Sequence, residues 1–128
     1  MDFTRLCLAY YDQPELVHRI NEDLLAFNLR LLDRIGKTCV PTFMTIAEDM
    51  SYNNGPMISE ETFREFLAPY YRRLIARTKE MGLRVIVDTD GDGTKLVPWL
   101  QEVGVDGVLT LERQAGVDGL EVRRLYPR

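Results

Sequence analysis

Leu83-Arg84-Val85-Ile86-Val87-Asp88-Thr89-Asp90-Gly91-Asp92-Gly93 decides the fold of this chain. A short β-branched run stops abruptly, and three aspartates then alternate with Thr89, Gly91 and Gly93. Val and Ile suit a pleated strand, whereas so much charge on so little side-chain bulk cannot enter a core. Leu83 to Val87 is therefore a strand, and residues 88 to 93 are a site, a metal loop or a very acidic turn. The run also looks like the start of an EF-hand, D-x-D-x-D-G. That loop needs a bidentate glutamate at its twelfth position and a helix on each side. Counted from Asp88 the twelfth residue is Trp99, and a strand precedes, so an EF-hand is rejected. A phosphate-binding glycine loop is disfavoured too, because three aspartates would oppose the anion.

Downstream, Thr94 to Val103 carries Leu96, Val97 and Leu100 at helical spacing and stops at Gly104. Val105 to Leu111 is a third strand ending in Glu112, and Asp118 to Leu125 a last helix. Upstream, Ser59 caps a helix whose first turn holds Glu60 and Glu61, at the positive end of its dipole. Phe63, Phe66, Leu67, Tyr70, Leu74 and Met81 mark its buried face, and Arg64, Arg72, Arg73, Arg77 and Lys79 its solvated one. Pro69 should kink it. Before it, Thr38 to Ala47 reads as a buried strand entered after Pro41 and ending in Glu48 and Asp49. Phe3 to Tyr11 is a short helix. Asp12 is then an N-cap for a long helix through Pro14 to Ile35, stopped by Gly36. Its apolar stripe is Leu16, Val17, Ile20, Leu24, Phe27, Leu31 and Ile35.

Strand, helix, strand, helix, strand, helix is the pattern of parallel βαβ units. Each strand is nearly all apolar, as when both faces are covered. All three end in carboxylates, and in a barrel or open α/β sheet that end is the functional edge. The expected architecture is α/β. It is a partial (β/α)8 TIM barrel of about three parallel strands, with crossover helices and N-terminal helices, forming one domain over residues 1–128. Three strands cannot close a barrel, which takes eight and roughly 250 residues. The chain is thus expected to be part of a larger barrel or a unit that assembles with another copy, since bare sheet edges are a liability. Asp88, Asp90, Glu48, Asp49 and Glu112 are the candidate catalytic acids. With no cation they would repel one another, raise at least one pKa and so supply a general acid or base. Asp88 and Asp90 are also candidate ligands for a Mg²⁺ or Ca²⁺ ion.

A formal charge of −4 and a pI near 5.0 disfavour nucleic acid or an anionic membrane as partner. No apolar run reaches the roughly 20 residues of a spanning helix, and the N-terminus has no secretory pattern. Cys7 and Cys39 form no spaced metal motif, which makes a reduced, cytoplasmic chain the expectation. The sole histidine, His18, is read as structural.

Gly55, Ser59, Phe63, Phe66, Pro69, Gly82, Gly104 and Asp106, followed by Glu112, Ala115, Gly116 and Asp118, make a pattern. It resembles the uroporphyrinogen decarboxylase superfamily of TIM barrels, porphyrinogen decarboxylases and cobalamin-dependent methyltransferases. The likeness spans most of residues 40 to 125 and implies a segment from about the fifth strand through the seventh helix. It implies a small-molecule substrate, a tetrapyrrole or a corrinoid-carried methyl group, with decarboxylation or methyl transfer as the chemistry. It also places Tyr52 at a substrate-facing tyrosine, with Asn54 and Asp92 beside it. Zinc-dependent members carry histidine-x-cysteine-glycine where this chain has Asp88-Thr89-Asp90-Gly91. Two carboxylates favour a harder ion or none over zinc. The arginine-rich motif and late histidine of the decarboxylases have no counterpart here.

Overall fold

The computed structural model describes residues 2–109 and 111–127. Two helices come first. In α1 (Phe3–Asp12) the Asp2 carboxylate accepts the Arg5 N–H at 2.8 Å. Asp12 is the last residue of that helix and not the cap of the next. Gln13 sits at the junction with no side-chain capping bond, and Pro14 opens α2 (Pro14–Ile35) by its preset φ alone.

The main sheet has three parallel strands in the order β1 (Phe43–Ala47), β4 (Arg84–Asp88), β5 (Gly107–Leu109). Each strand lies beside the next one in sequence, as in a singly wound arc of a barrel; doubly wound sheets reverse direction across the first strand. The register pairs Thr45 with Ile86 and Ala47 with Asp88, then Asp88 with Leu109. Both outer strands are shorter than the sequence suggests. Residues 38–42 stay outside β1, where Pro41 has no N–H to give a ladder. β5 as described covers only the middle of the expected Val105–Leu111; Thr110 lies outside the described residues.

Side chains alternate across the sheet, so its two faces differ sharply. Val85 and Val87 are fully buried against the helices, in a cluster with Phe63, Ile75, Leu96 and Leu100. Each fully buried aliphatic of this kind contributes about 1.5–3 kcal/mol. The opposite face carries Phe43, Thr45, Ala47, Ile86 and Leu109. Of these Phe43 is 51% exposed and Leu109 41%. The expectation of strands covered on both faces thus fails: one face, the interior of the arc, is open.

Between β1 and β4 the loop at Ser51 to Pro56 forms a small antiparallel hairpin, β2 (Ser51–Tyr52) and β3 (Gly55–Pro56), turning through Asn53 and Asn54. Ser59 then caps α3 (Glu60–Thr62), accepting the Thr62 N–H at 3.1 Å. A π-helical turn over Phe63–Leu67 leads into α4 (Ala68–Glu80). Pro69 cannot donate, and the chain meets that loss by widening the turn before it, with the Ala68 N–H reaching the Phe63 carbonyl. Asn21 of α2 donates to the Phe66 carbonyl at 2.7 Å, and His18 stacks on Phe66 with ring centroids 4.7 Å apart. His18 Nδ1 also meets the Tyr70 hydroxyl at 2.9 Å, so the histidine fastens α2 to the widened turn.

After β4 a 3₁₀ turn (Thr94–Leu96) runs into α5 (Val97–Val103), and α6 (Gly119–Leu125) follows with Asp118 as its cap. The basic residues of α4 do not simply face water. Arg73 holds Glu22 at 2.6 Å, Arg77 holds Asp33 at 2.7 Å, and Arg72 holds Glu102 at 2.6 Å. The long stripe on α2 is the larger correction. Val17 is buried together with Leu25 and Leu32, while Leu16, Ile20, Leu24, Phe27 and Leu31 remain 38–57% exposed. Among the described residues no helix is long and apolar enough to cross a membrane.

Candidate active site at the carboxylate edge

Parallel strands bring all their C-terminal ends to one side, and each strand here leaves an acid there. Glu48 and Asp49 follow β1, Asp88 and Asp90 end β4, and Glu112 follows β5. The ladder continues past Ala47, with the Glu48 N–H on the Asp88 carbonyl at 2.9 Å. The five predicted catalytic acids form one electrostatic group. The charges of Asp49 and Asp88 act on Glu48, and those of Glu112, Asp49 and Asp88 act on Asp90.

The Asp88–Gly93 loop is clamped from both sides. Ser51 of the hairpin is buried, and its hydroxyl donates to the Asp90 carbonyl and sits 3.1 Å from the Thr89 hydroxyl. The Asp92 N–H reaches the Tyr52 carbonyl at 3.0 Å, and across the sheet Glu112 accepts the Gly91 N–H at 2.8 Å. Gly91 is the residue this clamp requires. Its φ is +73°, and a Cβ there would lie 2.4 Å from the carbonyl carbon of Tyr52. The glycines of this stretch thus serve a backbone-to-backbone contact.

The carboxylates differ in environment. Glu48 lies mostly out of solvent. Its Oε2 accepts the Met50 N–H, while Oε1 is buried with no hydrogen-bond partner. Burial pushes its pKa up; the Met50 N–H and the nearby Thr89 hydroxyl pull the other way, and Asp49 and Asp88 add to the rise. Thr89 makes no hydrogen bond of ordinary geometry to Oε1. Asp90, on the exposed rim, is also raised, by desolvation and then by Glu112, Asp49 and Asp88. The partly buried ring of Tyr71 packs edge-on against Phe63. Burial, and after it the charge of Glu48, pushes the Tyr71 phenol far up.

Of the three expected substrate contacts, Asp92 is occupied structurally, capping the turn into α5 through the Thr94 N–H at 3.0 Å. Tyr52 is 64% exposed on the hairpin and Asn54 is exposed at its tip, so both border the loop from outside. Sequence reasoning missed Ser51, Thr89 and Tyr71. A buried Ser and Thr flanking acids were the available signal for the first two. Tyr71 offered none, since its spacing is that of a packing residue.

Among the described residues, no Lys or Arg forms an ion pair with Glu48, Asp49, Asp90 or Glu112, whereas Glu22, Asp33, Glu102 and Asp106 all have arginine or lysine partners. The donor set does not fit zinc. Asp88 and Asp90 are hard ligands, His18 is engaged with Tyr70, and no three His, Cys, Asp or Glu among the described residues converge as metal ligands. Two cavities lie nearby in the fold. One, of about 110 Å³, opens between α1 and the hairpin and is lined by Phe3, Leu6, Tyr10, Met50 and Met57 with Asp49 at its wall. The other, of about 250 Å³ between α5 and α6, includes none of the carboxylates of the edge.

Comparison with known proteins agrees with this frame. A methylated-thiol–coenzyme M methyltransferase from Methanosarcina mazei is 42% identical over 53 residues, which cover 41% of this chain and 14% of that protein. The chain thus matches a small part of the length of that curated relative. No solved structure matches it significantly. The profile of the uroporphyrinogen decarboxylase (URO-D) family matches residues 1–119, extending the likeness through α1 and α2 as well as the strands. Together with the singly wound parallel arc, that match shows that the chain belongs to the uroporphyrinogen decarboxylase (URO-D) family.

Proposed function

We propose that this chain is the C-terminal-half segment of a URO-D-like barrel, and that the barrel transfers a methyl group to or from a corrinoid-linked small molecule at the carboxylate edge. The observation that carries this is the convergence of Glu48, Asp49, Asp88, Asp90 and Glu112 from three strand ends. Methyl transfer is favoured over tetrapyrrole decarboxylation on two grounds. The relative found is a methyltransferase by name. A porphyrinogen carries several carboxylates, which an edge of acids repels. In this reading Glu48, with its raised pKa, exchanges a proton with the substrate, and Asp90 and Glu112 hold the loop and its charge in place. No step is assigned to a protein-held zinc ion. A cytoplasmic setting fits the free thiols of Cys7 and Cys39.

A second reading, an inert assembly module, is favoured by the open sheet face and the exposed stripe of α2. One experiment separates the readings. The chain is incubated with methylcobalamin and a thiol, following the spectral change on loss of the cobalt-bound methyl, and in parallel with uroporphyrinogen, following carbon dioxide release. Methyl loss abolished by Glu48→Gln supports methyl transfer, and carbon dioxide release reassigns the chemistry to decarboxylation. Silence in both, with a sedimenting oligomer, supports the assembly module.

A further inference from the structure

We infer that the exposed stripe of α2 pairs with the same stripe of a second copy of this chain, the two helices running antiparallel about a two-fold axis between Leu24 and Phe27. This goes beyond the reading above and does not rest on it, because it concerns the outer side of a helix and not the carboxylate edge.

The spacing of the stripe sets the mode of packing. Ile20, Leu24, Phe27 and Leu31 follow one another at steps of four, three and four residues, the alternation by which two helices interlock side chains along a seam. All four are 38–57% exposed. With Leu16 they form a row about 22 Å long on the helix, and a contiguous apolar row marks an interaction surface where scattered apolar residues do not. The next seam position is the exposed Arg34, so the row ends at Leu31 and a partner shifted along it would meet a charge. The face is also clear of the rest of the molecule. α2 packs on α4 and the π-helical turn, with Val17, Leu25 and Leu32 buried. At 3.6 residues per turn those three point about 135° away from the stripe. A second helix can therefore approach without touching α4, and both edge strands of the sheet stay free.

The charges beside the seam choose the partner and its direction. Asp23 and Arg30 lie on one flank of the stripe, both exposed. Asp23 meets Arg19 of its own helix at 3.2 Å, and Arg30 makes no ion pair among the described residues. In the antiparallel arrangement Leu24 faces Phe27 of the second copy, Ile20 faces Leu31, and Asp23 of each copy comes beside Arg30 of the other. One acid and one base thus make two ion pairs, as a two-fold interface requires of a patch that must complement itself. Parallel helices would instead set Asp23 beside Asn28 and Arg30 beside Ile35, which matches no charge. The other flank adds no opposing charge: its Asn21 donates to the Phe66 carbonyl and its Asn28 to the Leu24 carbonyl.

The test is sedimentation velocity of the full chain from about 1 µM to about 500 µM, the span in which a weak dimer half-assembles. A monomer–dimer equilibrium is expected. Asp23→Arg and Arg30→Asp each turn two attractive contacts into two repulsive ones, and each should weaken dimerisation about tenfold. An equimolar mixture of these two variants restores both ion pairs between unlike chains, so it should dimerise as the original chain does. Leu24→Glu combined with Phe27→Glu should abolish the dimer with the far-ultraviolet circular dichroism unchanged, since both side chains are exposed. If that variant unfolds, the mixing of the charge variants decides alone. A monomer over the whole range overturns the inference and leaves the stripe to another segment of a longer barrel. A dimer that survives the two glutamates overturns it in favour of assembly through the sheet edges. A dimer indifferent to the charge reversals, or variants that fail to recover on mixing, overturns the antiparallel pairing.

Discussion

Gly91→Ala is the sharpest test of how the edge is built. Gly91 sits at φ +73° with the Tyr52 backbone so close that a Cβ would lie 2.4, 2.6 and 2.7 Å from its carbonyl carbon, oxygen and Cα. A left-handed conformation costs a residue with a Cβ about 1–2 kcal/mol. Displacing a backbone to admit a methyl adds about 1–3 kcal/mol, as in overpacked cores. The atoms met are main chain and cannot rotate away, so the total should be about 3 kcal/mol. Gly82→Ala is the control. Its φ is +81°, but nothing lies within 4 Å of the added Cβ, so it should cost about 1 kcal/mol. Urea denaturation of both variants gives the difference. Amide exchange should further show the Asp92 N–H losing protection in Gly91→Ala, since its bond to Tyr52 breaks first. A Gly91→Ala chain no less stable than Gly82→Ala, with Asp92 still protected, would falsify the clamp.

Three further substitutions probe the electrostatics. Glu48→Gln should stabilise the chain at neutral pH. A carboxyl whose folded pKa is raised loses stability as pH climbs from its unfolded value, about 4.3, through the folded one, so the gain should vanish below about pH 4. A gain independent of pH would mean a packing effect instead. Asp106 is the opposite case: burial raises it, but the Val85 N–H at 2.8 Å and Lys79 at 3.2 Å outweigh that and hold it low. Asp106→Ala leaves the amide of fully buried Val85 unpaired, costing about 1–3 kcal/mol at pH 7. That deficit should shrink as pH falls below the ordinary carboxylate range, and a constant deficit down to pH 2 would refute the assignment. Glu112→Ala should speed exchange of the Gly91 amide about fivefold, the equivalent of about 1 kcal/mol, whereas Glu112→Gln keeps the acceptor and should not.

The strand ends were legible in the sequence because two strong signals coincide there, β-branched residues and then acids with glycine. Leu83 to Asp88 and its neighbours therefore came out in the right order and orientation. What periodicity could not tell was which apolar stripe is covered. Leu16 to Leu31 repeats as a helix face should, yet α4 takes the neighbouring face of Val17, Leu25 and Leu32. Periodicity reports a potential contact, and the partner's position decides the actual one. Pro69 signalled a disturbed helix correctly, but a missing N–H can be met by a kink or by a wider turn, and only the packing of Asn21 and His18 around Phe66 selects the second. The hairpin escaped because two residues per strand give no pattern to read. With it went Ser51, whose hydroxyl ties the loop down.

The hairpin's contact with Gly91 has a consequence for how such a protein can change. Ser51 and Tyr52 are bolted to the acid loop by backbone and buried hydroxyl, while Asn53 and Asn54 at the tip touch solvent. Residues can be exchanged or inserted at the tip without moving the carboxylates of the clamped loop. The molecule thereby separates a part of the rim that can drift from a part that cannot, and new ligand preferences can be tried at the first with the charges of the second unchanged.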